Sequence, residues 1–256
     1  MQAAAHADPL PRPVTTAIIA ALIACAAAAW LLTAQQSASM AGMGGMAMLG
    51  AGLFLVIWVV MMVAMMFPSI TPMVLTHARI VRSRGEGTLP TVAFVLGFLV
   101  VWSAAGLIPL AVIQVLGSPL AAPINAWLPR VGGAVVVLAG VYQLTPLKEA
   151  CLRTCRSPLG FILTHDFGGG KSSAARAGVS HGLYCLGCCW ALMAVLAVVG
   201  LMNLAWMAVF AALFFLEKNW RQGILLSRVS GIACVVLGLA IIGWPEVLHL
   251  VGGTIF

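Results

Sequence analysis

Charge is scarce in this sequence. Only 7% of its residues are charged, six of them acidic, where a soluble domain carries roughly 25%. The scarcity excludes an ordinary water-soluble domain. It also leaves no basic face with interleaved aromatics, so a nucleic-acid partner is not expected. Two further absences narrow the function. No acidic relay stands inside the apolar runs. No ATP-hydrolysing element is present either: the run Gly168-Gly169-Gly170-Lys171-Ser172-Ser173 imitates a phosphate loop, but His165 stands where the first glycine would be needed, and no strand precedes it.

What is present is apolar length. Hydrophobic residues make up 62% of the chain, and a helix needs roughly 20 of them in a row to cross the hydrocarbon of a bilayer. Seven segments qualify as candidates, at about 14–33, 50–72, 89–116, 131–147, 182–200, 202–216 and 229–250. The sequence therefore predicts an all-α, polytopic transmembrane helix bundle, a single domain over 1–256 with seven spans and six as the fallback. The sixth segment is short, and the break at Gly200–Asn203 makes it a tight hairpin with the fifth. The first segment is expected to be a retained span, because its apolar run exceeds that of a secretory signal and its leading region is barely charged.

Placement of the cations supports this topology. With a cytoplasmic N-terminus, the inner segments carry Arg12, then Arg79, Arg82 and Arg84, then Lys148, Arg153, Arg156, Lys171 and Arg176, then Lys218, Arg221 and Arg228. Of the thirteen basic residues, Arg130 alone falls outside. That is the positive-inside pattern of a multi-pass protein of a bacterial inner membrane.

Sulfur is the chemistry this chain offers. Cys185, Cys188 and Cys189 follow His181, and positions four apart share a helix face, so His181, Cys185 and Cys189 stack with Cys188 beside them. A second pair, Cys151 and Cys155, is again four apart, in the inner connection 148–180. Both groups are expected at the cytoplasmic face, where thiols stay reduced. Thiolates from two neighbouring helix ends suit a soft metal ion. Isolated Cys25 and Cys234 read as small buried hydrophobes.

Thioethers form two further groups. Met61, Met62, Met65 and Met66 make a stripe along the second span, just before Pro68 and Pro72, which should kink or unwind its end. Met40, Met43 and Met46 lie on a glycine-rich outer loop. Thioethers select monovalent copper over zinc, although methionine also serves as a filler of irregular gaps. Glu149 after Lys148, and the Glu217-Lys218 pair, read as interfacial structural pairs, with either carboxylate lying beside the thiol cluster as the alternative. Tyr142-Gln143 reads as a polar pair that hydrogen-bonds across helices.

Taken together, the stretches Tyr142–Lys148, Cys151–Pro158, Gly182–Trp190, Met202–Met207, Glu217-Lys218 and Met61–Pro72 resemble an uncharacterised bacterial family, a domain of unknown function described as predicted metal-binding integral membrane proteins. The resemblance covers roughly Gly50 to Arg228 and implies a bound metal.

The expectation is a membrane protein that handles a soft metal. Monovalent copper, Cu(I), is the favoured ion, with zinc or iron as alternatives. The outer Met loop, the Met stripe and the inner thiols form a series of increasing ligand strength. That order suits copper uptake, or capture for delivery to a copper chaperone or acceptor protein. The competing readings are a membrane thiol or metal oxidoreductase and a structural zinc site in a membrane scaffold.

Overall fold

The computed structural model describes residues 10–40, 50–116, 127–164, 169–201 and 203–252. All regular structure among these is helical. The helices are α1 (Arg12–Met40), α2 (Ala51–Ser83), α3 (Leu89–Ala105), α4 (Leu107–Leu116), α5 (Leu128–Gln143), α6 (Pro146–Arg156), α7 (Pro158–Thr164), α8 (Lys171–Val199), α9 (Leu204–Asn219), α10 (Gly223–Gly243) and α11 (Glu246–Gly252).

Five stretches are long and apolar enough to cross a membrane, and α5 with α6 makes a sixth if that pair, bent by 64°, counts as one span. Seven spans are not reached, and the fallback of six fits. The difference lies in α9, whose 16 residues reach only about 24 Å at 1.5 Å per residue, short of a hydrocarbon core of roughly 30 Å. Pro146 explains the bend. It opens α6 as its first residue, after Thr145 has stopped α5 and capped the new helix by accepting from the Lys148 N–H at 3.3 Å.

Helix α8 opens at Lys171, well before residue 182. The small residues at 172–180 look like a linker in sequence, but they let α3 and α8 approach closely. A Cβ on Gly178 would collide with the Phe94 carbonyl, and one on Gly97 with the Ala175 carbonyl. Helices α5 and α10 meet through Gly133, Gly140, Gly231 and Gly238 in the same way. Backbones brought together by small residues are how helices associate where no water drives them together. The break between α8 and α9 falls at Gly200, whose φ of 110° is a conformation open to glycine. Asn203 then caps α9, accepting from the Ala205 and Trp206 N–H groups.

Pro68 and Pro72 do not unwind α2, which runs without interruption. The Ala64 carbonyl that Pro68 leaves without its helical donor instead accepts from the Trp30 indole N–H at 3.2 Å, which ties α1 to α2. Large aliphatic side chains such as Leu31, Val56, Val100, Leu138 and Val236 cover the outer surface. The interior holds Phe54, Phe94, Phe98, Trp102 and the methionines of α2.

Substituting Gly178→Ala should force α3 and α8 apart and cost about 1–3 kcal/mol, as overpacking does. Thermal unfolding in detergent will show it as a lowered midpoint, against no change for Gly52→Ala, where nothing lies within 4 Å of the new methyl group.

Candidate functional site

The helices converge on a sulfur cluster in the interior. Cys185, Cys188 and Cys189 sit on the middle turns of α8, not at its beginning, because that helix starts earlier than the apolar run. All three are buried. The Cys188 Sγ is 3.4 Å from Cys189 Sγ and 3.8 Å from Cys155 Sγ on α6. Two sulfurs bound at roughly 2.3 Å to one ion at a tetrahedral angle stand about 3.8 Å apart, so the Cys155–Cys188 pair has the spacing of two ligands on a common metal. Cys185 lies one turn before Cys189 on the same helix. Cys151, one turn before Cys155, is half-buried and lies against Gly187, where a Cβ would come within 2.9 Å of its sulfur.

Two buried lysines frame the cluster. Lys148 on α6 donates to Glu217 Oε2 on α9 at 2.8 Å and to the Cys188 carbonyl. Both partners of this ion pair are 1% exposed. Glu217 Oε1 also accepts from Gln143 Nε2 at 3.2 Å and from the Ser230 hydroxyl at 3.4 Å. Helices α5, α6, α9 and α10 therefore share one carboxylate. Arg156 at the end of α6 donates to the Glu217 and Arg221 carbonyls, which fixes the C-terminal end of α9.

Lys218, the next residue, points elsewhere. Its ammonium donates to Cys185 Sγ at 3.1 Å, to the Ser69 hydroxyl at 3.2 Å and to Met66 Sδ at 3.8 Å. Sulfur and oxygen from α2 and α8 thus surround a resident cation. A cavity of about 280 Å³ adjoins it, lined by Ser69, Asn219, Cys155, Arg156, His181 and Lys218 among others. His181 is boxed by Phe94, Phe98 and Phe161, at ring-centroid distances of 6.0, 6.0 and 5.3 Å. Its Nδ1 is buried without a hydrogen-bond partner among the described residues.

Of the α2 methionines, Met66 reaches the cluster through Lys218, while Met61, Met62 and Met65 are buried in the apolar core. Met43, Met46 and His165 lie outside the described residues, as does the side chain of Met40. Tyr142 and Gln143 do bond across helices, the phenol to the Gly187 carbonyl at 2.8 Å and the amide to Glu217. Glu149 is a surface pair with Arg153 and Arg228. Glu217 and Lys218 are different: they are interior groups rather than interfacial ones, and Glu217 takes the alternative the sequence offered, beside the thiol cluster, where Lys148 links it to Cys188. The available signal was two ionisable residues closing an apolar run.

The donor set fits copper by type. Thiol and thioether sulfur prefer soft, monovalent ions, whereas zinc takes thiolate, imidazole or carboxylate in sets of four. Among the described residues no three of His, Cys, Asp and Glu are arranged to hold a metal ion as they stand. What the geometry offers is a paired thiol with further sulfur close by and a cation already among it.

Breaking the buried ion pair from one side should be costly. Glu217→Gln or Lys148→Met alone should lose about 3–5 kcal/mol of stability, since each leaves an uncompensated charge or its unpaired partner in the interior. The double variant should recover much of that loss, as chemical unfolding in detergent will record.

No curated protein and no solved structure matches the chain. A family does: residues 55–241, which contain the whole sulfur cluster and both buried lysines, match the family PpoB2, described as copper chaperone. The sequence resemblance to a metal-related membrane family agrees with this match. The chain belongs to the PpoB2 copper-chaperone family.

Proposed function

We propose that this protein is a multi-pass membrane protein that takes up Cu(I) and passes it to an acceptor, with Cys155 and Cys188 as paired sulfur ligands and Cys185 and Cys189 as further sulfur donors that the ion meets on its way. The observation that carries the reading is the Cys155–Cys188 pair, 3.8 Å apart and contributed by two helices. Soft donors of this kind hold monovalent copper well. The family description supplies the copper, and the long apolar helices with their aliphatic outer surface support the membrane. A bacterial inner membrane with the N-terminus in the cytoplasm follows from the distribution of arginine and lysine. Cys151, half-buried midway along α6, would receive or surrender the ion on the way to the buried thiols. Met66 and the rest of the α2 stripe would supply weaker thioether sites, and Met40, Met43 and Met46 a first contact outside.

An incomplete site suits a carrier. A closed tetrahedral thiolate cage would hold its ion too firmly for delivery, while a site with few ligands gives it up to a partner that offers more. The acceptor would be a copper chaperone or a cuproprotein on the cytoplasmic side.

Elemental analysis of the full chain, purified under reducing conditions, tests this. About one copper per chain is expected, falling to background when Cys185 and Cys188 are both changed to serine. Stoichiometric zinc that survives those substitutions would favour a structural site. No metal with a titratable dithiol couple would favour redox chemistry, and either result would overturn the copper reading.

A further inference from the structure

Lys218 is the unusual group of this interior. All three of its N–H donors are engaged, by a thiol sulfur, a thioether sulfur and a hydroxyl. The two sulfurs are donors a soft metal ion would choose, and a cation already occupies them. Beside this nest lies the cavity, and Lys218 lines both. His181 lines the cavity too. Its Nδ1 is buried, with the residue 2% exposed, and has no hydrogen-bond partner among the described residues. An orphaned buried acceptor of this kind is costly and calls for an explanation.

The two oddities explain each other. We propose that Lys218 is a tethered counter-cation that the metal displaces: a monovalent ion takes the place of its ammonium among Cys185, Met66 and Ser69, and the ammonium swings into the adjoining cavity to donate to His181 Nδ1. With the ring proton on Nε2, Nδ1 is the acceptor. Ser69 borders both places, so one of the three hydrogen bonds of the ammonium survives the move. Lys218 keeps its three protons throughout, while Cys185 coordinates as the thiolate: its S–H bond breaks as the metal–sulfur bond forms, and the proton leaves to solvent water.

The exchange sets specificity and release together. The ammonium stays in the interior and the ion's charge replaces that of the departing Cys185 proton, so a monovalent ion leaves the buried charge unchanged. A divalent ion would add an uncompensated charge to a buried site, which is strongly disfavoured. The displaced ammonium stays within reach, and its return to the sulfurs expels the ion towards an acceptor. Lys218 is thus a positioning and selectivity residue for the proposed copper site, and this inference rests on that reading.

A double-mutant cycle with silver(I), a redox-inert monovalent soft ion, separates the possibilities in the purified full chain. His181→Phe, which keeps an aromatic ring among Phe94, Phe98 and Phe161, should weaken silver binding about tenfold, the worth of one hydrogen bond to a charged group. In a Lys218→Met background the same change should alter binding by less than about twofold, because no ammonium remains to be received. An equal loss in both backgrounds would make His181 a ligand or a packing residue and overturn the exchange, as would no loss in either. Absence of stoichiometric silver in the wild-type chain would overturn the copper site itself, and the exchange with it. Should a variant not fold, the silver-loaded wild-type structure decides. Lys218 Nζ is expected within hydrogen-bonding distance of His181 Nδ1, and finding it still on Cys185 and Ser69 with silver bound would refute the exchange.

Discussion

An ammonium group has no place in an apolar interior unless anions or dipoles surround it, and this protein buries two. The architecture around the candidate site is a response to that constraint. Lys148 is met by the Glu217 carboxylate and the Cys188 carbonyl. Lys218 is met by the Cys185 sulfur, the Ser69 hydroxyl and Met66. These contacts fix α9 against α2, α6 and α8, and they hold Cys155 opposite Cys188. Remove the compensation and desolvation would dominate, since an unpaired buried charge costs several kcal/mol.

Helix geometry explains how two adjacent residues serve both lysine sites. Successive side chains on a helix diverge by about 100°, so Glu217 and Lys218 do not pair with each other. Glu217 faces α5, α6 and α10, where Gln143, Ser230 and Lys148 wait. Lys218 faces α2 and α8. One turn of α9 therefore joins a carboxylate-centred network that holds the bundle together to a sulfur-centred nest in which the proposed chemistry takes place. The glycine contacts of α3 with α8, and of α5 with α10, allow backbones to come close enough for such short polar contacts without water.

Much of this was legible in the sequence. Helical spacing alone brought Cys185, Cys188 and Cys189 to one side of α8, and the Cys151–Cys155 pair pointed to a second helix. The all-helical bundle followed from apolar length. The depth of the cluster did not, because Ser172–Ser180 reads as a polar, small-residue linker until α3 packs against it and turns it into helix. Span count suffered from Pro146, which bends one apolar segment, and from α9, which is short. The buried lysines were hidden by their neighbours: a Glu-Lys dipeptide at the end of an apolar run looks the same in sequence whether it ends in solvent or in the core. Only tertiary contacts distinguish the two.

The account stands on sulfur, rather than nitrogen or oxygen, surrounding monovalent copper. X-ray absorption of the copper-loaded protein under reducing conditions tests that most directly. The account predicts a Cu(I) edge with a nearest shell of sulfur alone. A Cu(II) edge, or a shell dominated by imidazole nitrogen or carboxylate oxygen, would contradict it.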